Sequence, residues 1–166
     1  MADRVDVTLE DVLDAFLARL RSELGLNDRT CFLWLQRSGP PPPVPDDVFI
    51  TVEPDGGTFD AAMITGGGAN QVTVETTIGI TIHSLVRLDP GGRDAYVLQD
   101  STRGIMPMLT SVLRALVSHD LLVGGNQCLR ELLMPTGFER PQRLEGEKRA
   151  TITVVFNISF DWDMTA

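Results

Sequence analysis

A chain of 166 residues, 43% hydrophobic and 22% charged, is long enough to bury a sizeable core in one domain without disulfide or metal staples. Its 14 basic and 23 acidic residues give a formal charge of −9, the wrong sign for gripping a nucleic acid backbone. The opening Met-Ala-Asp-Arg-Val-Asp-Val lacks the basic start and apolar stretch of a signal peptide, and no apolar run reaches the roughly 18 residues that span a bilayer, so a soluble, unsecreted protein is expected.

The first periodic segment is helical. Leu9, Val12, Leu13, Phe16, Leu17, Leu20 and Leu24 recur at i, i+3, i+4 and i+7, which predicts a helix over Thr8–Leu24 with one buried stripe. Thr8 caps it, Asp11 three residues later completes a capping box, and Gly25 supplies the left-handed residue that ends it. Cys31 to Leu35 is apolar and compatible with either helix or strand. Four prolines, Pro40–Pro43, exclude both helix and central strand and read as a stiff surface loop; an SH3-type ligand is the alternative. Val48–Glu53 then reads as a short strand, closed by the turn signal Pro54-Asp55-Gly56-Gly57. From Thr58 to Gln71 the periodicity dissolves, and Gly66-Gly67-Gly68 marks a flexible tip.

Val72–Val86 is the most informative stretch. Val72, Val74, Ile78, Ile80, Ile82 and Val86 occupy even positions, whereas Thr73, Glu75, Thr77, Thr81 and His83 occupy odd ones. That is the period of a strand with one apolar and one polar face, and at about 3.3 Å per residue it spans roughly 45–50 Å. Ordinary strands have about 5–6 residues. Part of this one is expected to project from the domain and meet another chain. It ends at the turn Asp89-Pro90-Gly91-Gly92, after which Ala95–Leu98 is at most a short extended piece.

A second helix is predicted from a cap at Asp100 or Ser101 to about Leu122, with Ile105, Leu109, Val112, Leu113, Leu116 and Val117 inward and Gly124-Gly125 as its stop. Pro107 fits best if the helix proper begins near Ile105. Gln127–Met134 is short and apolar, helix or strand, and Pro135–Glu147 reads as a charged loop. The last element repeats the alternation: Ala150, Ile152, Val154, Phe156, Ile158, Phe160 and Trp162 against Thr151, Thr153, Asn157, Ser159 and Asp161. The two long strands can pair, with both helices over the apolar side. The expected fold class is α+β: one domain over residues 1–166, a mainly antiparallel sheet of long amphipathic strands, two main helices on one face, and a projecting β arm or loops around 54–72 and 135–149.

Chemistry is scarce. Cys31 and Cys128 are too few and too distant for a metal site or a disulfide framework; flanked by apolar residues, they read as small buried hydrophobes of a reducing compartment. His83 on the polar strand face and His119 near the second helix end lack partners at ligand spacing and read as exposed or helix-terminal. Gly66-Gly67-Gly68 is followed by neither Gly-Lys-Ser/Thr nor a helix, so it is no phosphate loop. No catalytic, metal-binding or cofactor-binding residues are assigned, and no enzymatic activity is expected. The residues picked for an assembly interface are Thr73, Glu75, Thr77, Thr81, His83, Arg140, Arg143 and Glu147.

The order of helix Thr8–Leu24, strand Val48–Glu53, long strand Val72–Val86, helix near Ile105–Leu122 and closing strand Arg149–Trp162 resembles the tail terminator and related neck proteins of tailed bacteriophages. The resemblance covers most of the chain as layout and size; the prolines at Pro40–Pro43 and the glycines at Gly66–Gly68 depart from it. It implies a non-enzymatic virion protein, assembled in the host cytoplasm into a ring of typically six copies at the head-proximal end of the tail tube. There it ends tube polymerisation and joins the tail to the head. The implied partners are further copies of itself, the tail tube protein and a head-completion or connector protein, with DNA passing through without specific binding. Another connector or a tube subunit has the same ingredients. From a different class, a small ligand-binding α+β domain would use Thr73, Thr77, Thr81, His83, Thr153 and Asn157 to line a shallow pocket.

Overall fold

The computed structural model describes residues 7–35, 48–60, 71–85, 104–143 and 149–163. The four-proline run, the Gly66–Gly68 tip, the turn at Asp89 and the Ala95–Leu98 piece lie outside them.

Helix α1 runs over Leu9–Leu24. Its capping box is formed: the Asp11 amide donates to Thr8 Oγ1 (3.2 Å) and the Thr8 amide to Asp11 Oδ2 (2.9 Å), which satisfies two otherwise orphaned donors. Gly25 closes the helix at φ 64°, a conformation that costs an L side chain about 1–2 kcal/mol. Val12, Phe16 and Leu20 are fully buried.

Strand β1 (Cys31–Leu33) lies parallel to β2 (Val48–Asp60), and β2 pairs antiparallel with β3 (Gln71–Leu85). The expected turn at Pro54–Gly57 is instead a bulge inside β2. Pro54 faces Ile78 but Gly57 faces Thr76, so β2 holds one extra residue, and the strand continues to Asp60. The Thr76 hydroxyl donates across the bulge to the Asp55 carbonyl (3.2 Å). A turn sequence has been absorbed as a kink because the partner strand is long enough to supply hydrogen bonds on both sides of it.

Helix α2 (Ile105–Leu116) begins at Ile105, where Pro107 fits best, rather than after a cap at Asp100 or Ser101, and it ends well short of Leu122. Gly104, rather than a capping side chain, precedes it, and Pro107 sits in the first turn, where its missing N–H costs nothing. The helix stops before the glycines because Ser118 takes φ 61° and its amide donates to the Leu133 carbonyl (2.8 Å), while Leu133 N–H returns to the His119 carbonyl. Hairpin β4 (Leu122–Val123) and β5 (Asn126–Gln127) follows, with Gly124 and Gly125 as its left-handed turn. The ambiguous Gln127–Met134 segment is therefore neither helix nor one strand, and the predicted loop after it contains two strands, β6 (Met134–Phe138) and β7 (Gln142–Arg143). Both pair with the middle and start of β8 (Arg149–Asp163).

The two long strands pair as their alternation predicts, over fifteen residue pairs from Gln71–Asp163 to Leu85–Arg149. The main sheet runs β1-β2-β3-β8-β6, with β7 also on β8. Its even-numbered side chains, including Ile78, Ile80, Ile82, Ile152, Val154, Phe156 and Phe160, are buried against α1 and α2. Phe16 of α1 meets Phe156 edge-on at 6.1 Å. Two arginines of α1 tie the layers: Arg19 Nε donates to the Ala115 carbonyl at the end of α2 (2.6 Å), and Arg21 forks onto the Cys31 carbonyl (2.9 and 2.7 Å). The fold class is α+β, as expected.

Candidate functional site

The odd-numbered face of β2, β3 and β8 carries the polar residues, and the register decides what each can do. Directly opposed side chains on one sheet face lie about 4.5–5.5 Å apart, near enough to bond. Thr73 Oγ1 donates to Asp161 Oδ1 (2.9 Å), Thr77 Oγ1 to Asn157 Oδ1 (3.1 Å), and the Thr81 and Thr153 hydroxyls share a bond of 2.8 Å. The next row joins β2 to β3: Thr51 Oγ1 lies 3.1 Å from His83 Nε2. Hydroxyls that look available in the sequence are thus consumed as cross-strand bonds.

His83 is buried, not exposed as its place on the polar face suggests. Its ring stacks on Phe49 (4.2 Å between centroids), Phe32 also stacks with Phe49 (5.9 Å), and the Arg149 guanidinium lies over the Phe49 ring at 4.9 Å. Burial, reinforced by the Arg149 charge, pushes the imidazole down to about 4, so it is neutral at pH 7. A neutral ring packed between strands is a structural element, not a proton carrier. His119 is exposed beyond α2. Burial likewise raises both thiols, Cys31 to about 11 and Cys128 to about 12, with the nearby Asp120 charge adding to the second. Neither is a reactive thiolate at neutral pH.

Of the residues picked for assembly, Thr73, Thr81 and His83 are buried within the chain, Glu75 is exposed and Thr77 half-buried. Arg140 is exposed between β6 and β7, Arg143 ends β7 opposite Ala150, and Glu147 lies outside the described residues. Far from the helices' centre, on the odd face, a polar hollow of ≈ 770 Å³ is lined by Gly57, Thr73, Glu75, Thr77, Arg130 and Asn157. Arg130 Nε pairs with Asp161 Oδ1 at 2.9 Å. Of the six residues named for a ligand pocket, Thr73, Thr77 and Asn157 line this hollow; Thr81, Thr153 and His83 do not. Among the described residues no three His, Cys, Asp or Glu side chains gather as metal ligands.

Two features escape the sequence pattern. Among the described residues no strand pairs with the outer side of β2 beyond Val52, because β1 matches only Ile50–Val52. Likewise β6 is the last strand on the opposite side. Both edges bear exposed aromatics, Phe59 on β2 (60% exposed) and Phe138 on β6 (66%), with Met134 also exposed. Phe59 falls in a stretch without alternation and Phe138 in a presumed loop, so neither declares itself as an edge residue until the pairing is known.

No protein-family model matches this chain, and no curated protein matches it. Among solved structures it is similar to a chain from "Virion of native gene transfer agent (GTA) particle", at 17% sequence identity and a TM-score of 0.49, over 86% of this chain and 84% of that one.

Proposed function

We propose that this protein is a structural subunit of a phage-like virion, a tail terminator that closes into a ring of about six copies at the head-proximal end of a tail tube. The observation that carries the reading is the fifteen-pair β3–β8 ladder flanked by β2, whose outer edge has no described partner beyond Val52. Open strand edges recruit other chains, and the bulge with Pro54 and Asp55 blunts only the middle of this one. A ring uses two different patches, one for each neighbour, and a sheet whose β2 and β6 sides have no partner strand among the described residues supplies them. The layout of helices and strands also resembles that of phage terminators. The −9 charge per copy fits a channel through which DNA slides without adhering. In this reading Glu75 and Thr77, on the outward polar face, join the subunit-contacting or lumen-facing surface.

The partners proposed are further copies of this chain, the tube protein below and a head-completion or connector protein above. Light scattering behind a sizing column, with negative-stain imaging, tests the ring directly, first alone and then with purified tails. Rings with a central hole, alone or on tail ends, are the expected result. A particle that stays monomeric and ignores tails overturns the proposal. Indefinite stacking in place of a capped tube would identify a tube subunit instead.

A further inference from the structure

We infer that the polar sheet face carries a docking hollow for a long basic side chain, an arginine or a lysine presented by a partner protein. Gly79 is its floor. One row of opposed residues crosses the sheet there: Glu53 on β2 faces Gly79 on β3, Gly79 faces Val155 on β8, and Val155 faces Gly137 on β6. Two of those four positions carry no side chain. The row is therefore a trench between the hydroxyl-bonded rows Thr77–Asn157 and Thr81–Thr153. Over Gly79 it opens a hollow of ≈ 210 Å³ lined by Trp34, Glu53, Thr77, Glu139, Thr153 and Val155.

The fold itself does not require glycine at position 79. Strand β3 pairs through it in unbroken register with β8, and with β2 from Ile78 to Ser84; the bulge lies on β2, beyond Pro54. The backbone of Gly79 is not left-handed. A Cβ there would lie 3.5 Å from Thr153 Cγ2 and 3.7 Å from the Glu53 carbonyl oxygen, which are ordinary contacts. Glycine inside a strand weakens it, through backbone entropy and a missing side chain, and it marks places where a ligand or another chain comes close. Gly57 is the contrast, since there the Glu75 carbonyl leaves no room for a Cβ and the fold explains the residue.

The lining decides what fits. Glu53 and Glu139 bring carboxylates, Thr77 and Thr153 bring hydroxyl oxygens, and none of the described lining residues is basic. Glu53 is held in place, because the Thr51 hydroxyl donates to its Oε1 (3.0 Å) and is itself bonded to the buried His83 Nε2 (3.1 Å). Trp34, whose amide donates to the Val52 carbonyl just past β1, gives an aromatic wall, and Leu35, Pro54 and Val155 add apolar surface. A cationic head on a methylene stem satisfies both kinds of wall: the carboxylates and the Trp34 ring take the charge, and the apolar residues take the stem. An anionic guest would meet carboxylates and no described cation. A partner can reach the site, for Leu35 is 72% exposed, Glu139 is exposed, and α1 and α2 cover the opposite face. One copy contains the whole hollow, so the inference does not rest on the ring.

Amide NMR spectra of the labelled full chain test this, titrated with short capped alanine peptides that carry a central arginine, lysine, citrulline or norleucine. At millimolar concentration the arginine or lysine peptide should shift the Gly79 and Val155 amides and the Trp34 indole saturably. It should bind about tenfold more tightly than the uncharged citrulline and norleucine peptides. Gly79→Thr fills the hollow with a strand-favouring side chain and leaves the −9 charge untouched, so it separates the hollow from general attraction to an acidic surface. That variant should lose the shifts while its urea midpoint stays at or above that of wild type. Glu139→Gln, at an exposed position, should weaken binding severalfold without moving the midpoint, and it keeps the test sharp if Gly79→Thr fails to fold. Unchanged binding in either folded variant, equal binding of the citrulline peptide, a preference for norleucine, or no shift with either basic peptide would each overturn the inference.

Discussion

His83 shows how one side chain's meaning depends on its neighbours across the sheet. Buried on Phe49 and beside Arg149, it holds a pKa near 4 against 6.5 for a free imidazole. Because the folded value is depressed, the unfolded chain takes the proton first, so stability is complete above pH 6.5 and is lost as pH falls towards 4. The loss is up to about 3 kcal/mol at ~1.4 kcal/mol per unit. Denaturant titrations of wild type and His83→Phe over that range should show the variant with the flatter dependence; identical slopes would mean the imidazole is solvated. Glycines separate in the same way. A Cβ at Gly57 would lie 2.7 Å from the Glu75 carbonyl oxygen, inside any tolerable contact, whereas at Gly79 the nearest atom is Thr153 Cγ2 at 3.5 Å. Gly57→Ala should cost about 1–3 kcal/mol through overpacking at the bulge. Gly79→Ala should be neutral or stabilising by up to ~1 kcal/mol, since it only restricts the unfolded chain. Urea midpoints decide both. The sequence sets Gly57 in a turn signal and Gly79 in an alternating strand, but the cost of a Cβ at each depends on what the opposite strand brings near.

At the scale of elements, local signals were sufficient where the element's ends are satisfied locally. Helix α1 begins and ends at its own capping box and its own left-handed glycine. Thr8→Ala should therefore cost about 1 kcal/mol, read as a lowered urea midpoint, with Thr8→Ser retaining most of it. Equal losses in the two variants would mean that the hydroxyl bond is not what holds the first turn. Helix α2 behaves differently. Its apolar stripe runs past Leu116, yet the helix ends there because Ser118 and His119 bond to Leu133, a partner fourteen or more residues away. The Pro54–Gly57 signal fails for a related reason: the same residues make a turn or a bulge depending on whether β3 extends alongside them. Strand existence in β3 and β8 was legible from alternation alone, since burial of one face over fifteen residues leaves no other register. The short strands β6 and β7 were not, because they have little alternation and exist by pairing with β8.

For the whole molecule, net charge and self-association pull in opposite directions. Each copy carries −9, and like-charged copies repel, so their association should strengthen as salt shortens the screening length. Sedimentation at about 0.01 M and about 0.15 M ionic strength, where that length falls from ~30 to ~8 Å, should show larger particles at the higher salt. Weaker assembly with salt would mean that ion pairs carry the contact.

The amino-acid sequence by itself determined the fold class, the boundaries of α1, the pairing partners β3 and β8, and which face of each meets the core. These follow from periodicity and capping, which act over a few residues and need no knowledge of the rest of the chain. Only the tertiary structure decided that the polar face is largely closed by its own cross-strand bonds, that His83 is buried, and that Phe59 and Phe138 stand at the two sides of one sheet. Each depends on which residues are brought opposite one another from distant positions, 88 apart for Thr73 with Asp161, and that juxtaposition is a property of register and topology.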